Sequence, residues 1–389
     1  MIYADYAATT PVDPEVLDAM MPFFAQSFGN ASSTHAAGLA AQQAVLQARS
    51  SIAADIGARL TEIVFTSGAT EAINLAMIGC ARRHSSAERK GIVAVRTEHP
   101  AVIDAANYLE AQGFPVTWLG VDANGVVDPE ELRSAVTPLT LMVSVMAVNN
   151  ETGVRQDLKA LSSITRDGGA FFMTDATQAW GKVPLNVDEM GIDFMSFSGH
   201  KLYGPKGIGA LFVRRRKERS CDVDPLLYGG GQEGGMRSGT LNVPGIVGLA
   251  AAGSRAHQRM SEDSQHIESL RDMLESRLVS AVDAKVNGSA ANRSSTISNI
   301  TFPFGTDIDM MLLHLPHVAI SKGSACSSSK PRPSHVLTSM GRDANEVARS
   351  VRISFGRFST MQECRQLAND IVAAHEKARL GVLPTSIST

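Results

Sequence analysis

Short β-branched and aromatic runs alternate with helical stretches from about residue 60 to 215. "EIVFT" (62–66) precedes a helical pattern from Gly68 to Arg82, and "IVAV" (92–95) precedes "HPAVIDAANYLEAQG". "LMVSVMAV" (141–148), "AFFMT" (170–174), "FMSFS" (194–198) and "IGALFV" (208–213) continue the series. Strands alternating with helices predict a mostly parallel sheet covered by helices on both faces. Upstream, Ala41, Val45, Ala48, Ile52 and Ile56 recur at helical spacing, predicting a helix over about 35–56 that stops at Gly57.

A long helical pattern follows at about 245–281, and then the rhythm changes. "SNITF" (298–302), a short helix near "DIDMMLLHL", "VAIS" (318–321), "SVRISF" (350–355) and a last helix "MQECRQLANDIVAAHEKARL" predict a smaller α+β unit. The expected fold class is therefore α/β with a smaller α+β C-terminal domain. A boundary near 255–260 divides the chain into a large domain, 14–258, and a small one, 1–13 with 259–389.

Composition narrows the possibilities. The 389 residues are 44% hydrophobic and 19% charged, with a formal net charge of −3. That balance fits a soluble globular protein of roughly two to three domains, or one large and one small. It gives no reason to expect direct nucleic-acid or membrane binding. The one dense basic run, "VRRRKERS" (213–220), reads as a solvated turn after a strand. No secretory leader is visible and no stretch approaches the ~18 apolar residues of a membrane span. The cysteines (80, 221, 326, 364) lack CxxC spacing, which argues against a disulfide framework or a four-thiolate metal site. A cytoplasmic location is the default. His314 and His317 are interrupted by Pro316, so no metal site is expected.

Chemistry concentrates at the predicted strand ends. "SFSGHKLYGPKG" (196–207) clusters Ser198, His200 and Lys201 in a Gly-rich turn. Alone, such a lysine is more often an ordinary surface residue, but it can also form a Schiff base. "FTSGATEA" (65–72) offers backbone N–H groups and the Thr70 hydroxyl to an anion at a helix start. Asp175 ends an apolar strand, where a carboxylate needs a partner; a pyridinium nitrogen would serve. His99 in "RTEHPAV" and Asn150 in "VNNETG" mark two further strand ends. Together these describe one site at the carboxyl edge of a parallel sheet. Elsewhere, "KGSACSSSKPRP" (322–333) sets Cys326 among small, polar and basic residues, with no apolar surroundings in sequence.

In order and spacing, the series "YADYAATTP", "GNASSTH", "FTSGATEA", "TEHPAV", "VNNETG", "TDATQ", "SGHKLYGPKG", "GGGQEGGMRSGT", "SKGSACSS" and "VRISFGRF" resembles the fold-type I pyridoxal 5'-phosphate (PLP) enzymes, specifically cysteine desulfurases of the NifS/IscS class. The resemblance implies that Lys201 carries PLP and that Asp175 pairs with its pyridine nitrogen. It implies that Gln178 and Asn150 lie at the phenolate oxygen, that His99 stacks on the ring, and that Thr70, Ser198 and His200 hold the phosphate, with Ala69 also at the cofactor. Thr240 would reach the phosphate of a partner subunit, implying a homodimer. Arg352, with Asn150, would bind the L-cysteine substrate by its carboxylate. Cys326 would take the substrate sulfur as a persulfide and pass it to an acceptor protein, in iron–sulfur assembly, tRNA thiolation or DNA phosphorothioate modification. Two positions depart from the usual pattern: Ala31 stands where proline is frequent, and Gly234 where arginine is common.

Lys201, freed by substrate, would take the Cα proton. The attacking group would be a thiolate, favoured if Lys322, Lys330 or Arg332 lie near it, or formed with His99 relaying the thiol's proton. Cys80 and Cys364 fall on apolar helix faces and read as core; Cys221 is undetermined. An aminotransferase or selenocysteine lyase on the same fold, and a non-catalytic scaffold, are the alternatives. A transaminase has no use for a loop thiol, and a scaffold has none for Lys201.

Overall fold

The computed structural model describes residues 1–86, 88–322 and 333–382. Seven strands form the central sheet, in the spatial order Ile63–Thr66, Gly209–Val213, Phe194–Ser198, Phe171–Asp175, Thr140–Ser144, Gly91–Val95, Val116–Leu119. The five strands from Phe194–Ser198 to Val116–Leu119 are mutually parallel. Gly209–Val213 runs antiparallel to both its neighbours. Its connection from Ser198, residues 199–208, is shorter than the dozen or so residues a parallel crossover needs, so the chain reverses.

Successive side chains of each strand enter opposite cores, as the pleat requires. Ile63, Phe65 and Phe172 pack with the helices Ala36–Asp55 and Leu158–Asp167. Val64, Phe171 and Met173 pack with Ala69–His84 and Pro100–Ala111. The sheet is thus covered on both faces, as the alternating pattern predicts.

Three local expectations change. The strand expected over 141–148 ends at Ser144. Val145 and Ala147 still donate to Met173 O and Asp175 O, but Val148 bridges Arg155, and the chain leaves the sheet carrying Asn149 and Asn150. Val116–Leu119, a half-exposed edge strand with one partner, has too little apolar pattern to stand out in the sequence. The basic run is not simply a solvated turn. It forms a two-stranded hairpin, Arg215–Arg216 with Arg219–Ser220. Arg214 and Arg219 reach the buried Asp193, and Arg216 reaches Glu62 and Asp188.

The helix Val243–Val282 runs unbroken for 40 residues. Its first half, through Ala256, belongs to the sheet's core. From Ile267 onward it packs with a three-stranded antiparallel sheet (Lys285–Val286, Ile297–Thr301, Ser350–Ser354) and the helix Met361–Arg379. Ile2–Tyr3 joins this second core by pairing with Val318–Ala319. Cys80, Cys221 and Cys364 are all buried, and burial raises each thiol's pKa, Cys364 to about 12. The undetermined Cys221 is therefore a core residue. Gly234 adopts φ +64°, so the departure from arginine there sits on a backbone that favours glycine.

Candidate active site

The carboxyl ends of the parallel strands converge on one cavity of about 620 Å³. His99 follows Gly91–Val95, Asn150 lies beyond Thr140–Ser144, Asp175 ends its strand, and Ser198 opens the turn Gly199–Lys201. Ala69, Thr70, His99, Asn150, Asp175, Gln178, Ser198, His200, Lys201 and Arg352 all line it. Thr240 is exposed and is not part of the lining within its own chain. Cys326, with Lys330 and Arg332, lies outside the described residues.

Backbone geometry sets the cavity's floor. A Cβ on Gly209 would fall 2.5 Å from Phe197 O and 2.7 Å from Gly68 Cα. Only glycine lets that strand pass beneath the start of the helix Ala69–His84. Gly68, the residue before that helix, makes no side-chain cap, so the first-turn N–H groups are left to the cavity.

Lys201 Nζ donates to Ala7 O (2.8 Å) and Ala8 O (2.7 Å), bringing the N-terminal segment over the site. Asp175 Oδ1 accepts from Thr177 N (2.9 Å), Thr177 Oγ1 (2.5 Å) and Ser196 Oγ (3.2 Å). Asp175 Oδ2 carries no hydrogen bond among the described residues. His99 caps the helix Pro100–Ala111, its Nδ1 accepting from Ala101 N (3.1 Å), which places the proton of a neutral ring on Nε2. Arg352 is 2% exposed; Nη1 donates to Asn150 O and Nη2 to Asp5 Oδ1 and Ser321 Oγ, while Nε is buried with no partner among the described residues.

Three neighbours of the site escape sequence reasoning. Glu98, fully buried, accepts from Ser144 Oγ on one oxygen, and its other oxygen has no partner among the described residues. Burial, and then the charge of Asp175, push its carboxyl up to about 8. Lys182 Nζ donates to Gln178 Oε1 (2.8 Å); burial, then the charges of Lys201 and Arg352, bring it down to about 7. Asp5 pairs with Arg352 at 2.8 Å. Among the expected residues, His200 is pushed down to about 4 by burial and then by Lys201, Lys206 and Lys182, so its ring is neutral. It accepts from or donates to Thr9 Oγ1 at 3.1 Å.

The residues flanking Cys326 abut the same site. Ser321 Oγ donates to Asp5 Oδ2 (2.8 Å), and Ser334 Oγ donates to Glu151 Oε2 (2.5 Å) beside Asn150. His335 Nε2 lies 2.9 Å from Glu98 O, next to His99.

The donor set fits PLP. The open Asp175 Oδ2 suits a protonated ring nitrogen, the uncapped helix start with Thr70 suits a phosphate, and the Arg352 guanidinium in the lining suits a carboxylate.

Comparison with known proteins agrees with this chemistry. The aminotransferase class-V family matches residues 2–367. Cysteine desulfurase IscS of Rickettsia bellii is 46% identical over 364 residues, 93% of this chain and 88% of that protein. The solved structure of a NifS-like protein superposes with a TM-score of 0.88 at 35% identity, covering 96% of this chain and 98% of that one. A structure of SspA in complex with cysteine gives a TM-score of 0.81 at 37% identity, over 92% of this chain and all (100%) of its own.

Proposed function

We propose individual residue roles on one premise: this chain belongs to the aminotransferase class-V family and is a PLP-dependent cysteine desulfurase acting on L-cysteine. When bound, PLP supplies an electron sink for the substrate's Cα electrons. Lys201 would hold the cofactor covalently and, as a free amine, would take the proton from the substrate's Cα. Ala7 O and Ala8 O keep its amine oriented over the site. Asp175 pairs with the ring nitrogen through Oδ2, while three donors on Oδ1 hold the carboxylate in place. His99, fixed by its cap, stacks on the ring and relays a proton through Nε2. Thr70, Ser198, neutral His200 and the first turn from Ala69 hold the phosphate. Gln178 and Asn150 flank the phenolate oxygen, and Arg352, which lines the cavity, binds the substrate carboxylate.

Cys326 takes the sulfur. As its thiolate attacks the substrate sulfur, an S–S bond forms and the Cβ–S bond breaks. The electron pair passes to the substrate carbon, which gains protons to become alanine. Cys326 keeps a persulfide and hands it to an acceptor protein. The contacts of Ser321 and Ser334 at the site's rim support this role. The same reading includes a homodimer in which Thr240, exposed in its own chain, serves the partner's phosphate. The division into 14–258 and 1–13 with 259–389, and a cytoplasmic location, belong to the same reading; no described helix is long and apolar enough to cross a membrane.

The observation that carries these roles is the convergence of Lys201, Asp175, His99 and Arg352 on one cavity. Cys326→Ser is expected to keep the absorbance of bound cofactor while releasing no sulfide from L-cysteine. Full sulfide release by that variant would overturn the role of Cys326.

A further inference from the structure

Gln178 is 3% exposed and lines the cavity, so its amide must face the cofactor one way round. Nε2 donates to Ala7 O (2.8 Å), and Oε1 accepts from Lys182 Nζ (2.8 Å). Turned over, the amide would set Oε1 against Ala7 O and, with Lys182 as its ammonium, Nε2 against Lys182 Nζ, two contacts of like with like. Ala7 O also accepts from Lys201 Nζ. Once Lys201 carries the cofactor, that donor is withdrawn from Ala7 O, and Lys182 remains the group that pins Oε1.

We propose that Lys182 is a positioning residue for Gln178: its N–H holds Oε1 away from the reacting centre and leaves the second Nε2–H for the cofactor's phenolate oxygen. The inference rests on the proposed places of Gln178 and Lys201 at the cofactor. Lys182 faces the positive charges of Lys201 and Arg352 on the site side, and on its other side shares a smaller cavity with Asp263 and Arg357. A donor to the phenolate disfavours protonation of the lysine-bound cofactor. Removing it raises the pH midpoint at which the cofactor's visible absorbance changes.

The test titrates that absorbance in the cofactor-loaded dimer or monomer as purified, without substrate. Lys182→Met is expected to raise the midpoint by about one unit, tenfold in the protonation constant. Lys182→Gln keeps a donor without the charge, and is expected to stay within about a third of a unit of the wild type. A wild-type midpoint in Lys182→Met overturns the proposal. So does a Lys182→Gln shift as large as that of Lys182→Met, which would assign the effect to charge. If Lys182→Met does not fold, Lys182→Gln carries the test alone: an unchanged midpoint supports the donor role and a raised one overturns it. Lys201→Ala is expected to lose the titrating band altogether. If it keeps the band, the place of Lys201 falls, while the midpoints of the Lys182 variants still judge Lys182.

Discussion

Glu98 is a carboxyl group with nowhere to put a charge. It is fully buried, has one oxygen with no partner among the described residues and lies in the field of Asp175. In the unfolded chain it loses its proton near pH ~4.3, whereas in the fold it keeps it up to about 8. The folded state therefore binds the extra proton across that window, and stability falls as pH rises through it. Glu98→Gln is expected to flatten the fall in Tm between pH ~5 and 8 that the wild type shows; parallel curves would contradict this. His200 works in the opposite sense. Its folded pKa of about 4 lies below the unfolded ~6.5, so its contribution is lost as pH falls through that lower window. Asp175, His99 and Lys201 were legible in the sequence because each ends or closely follows a strand that its apolar run announces. Glu98 and Lys182 were not: "TEH" and "WGK" carry no pattern, and their states depend on burial and on residues distant in sequence.

Elements read well where burial is two-sided. The central strands appear as continuous apolar runs, and the helices Ala36–Asp55 and Ala69–His84 carry their buried positions at helical spacing. The hairpin after Val213 misleads because its arginines look solvated, yet they are ordered by acids supplied from other elements. Asp193 accepts from Arg219 Nε (2.7 Å), Arg219 Nη2 (2.8 Å) and Phe172 N (3.0 Å). Asp193→Ala leaves Arg219 partly buried and Arg214 short of one acid, and is expected to destabilise by about 3–5 kcal/mol in chemical denaturation. A loss under about 1 kcal/mol would mean the pair behaves as a surface bridge. The long helix makes a second test. Gly253 sits mid-helix, where alanine is intrinsically better by about 1 kcal/mol. A Cβ there would lie 2.5 Å from the Trp180 ring. Gly253→Ala is therefore expected to lower stability by about 1–3 kcal/mol against its propensity, measured by the same denaturation; a gain would contradict the close packing of helix on sheet.

At the scale of the molecule, two cores share one helix, and the N-terminal strand crosses into the second. The sequence pattern placed a domain boundary near 255–260, inside the predicted helix, and in the fold one 40-residue helix contributes to both cores. Helical spacing says which face is apolar and not which sheet covers it. The proposed homodimer predicts a sedimenting mass twice the 41.3 kDa of the chain; a monomer mass with full cofactor retention would remove Thr240 from the site. The proposed roles converge on one event, delivery of the sulfur of L-cysteine to Cys326 from the cavity around Lys201. The most direct measurement is mass spectrometry of the cofactor-loaded protein after exposure to L-cysteine, with alanine quantified in the same sample. The expected result is one added sulfur atom on the peptide containing Cys326, removable by reductant, with one alanine formed per sulfur bound. Alanine and free sulfide produced with no sulfur ever found on Cys326, under single-turnover conditions without reductant, would contradict it.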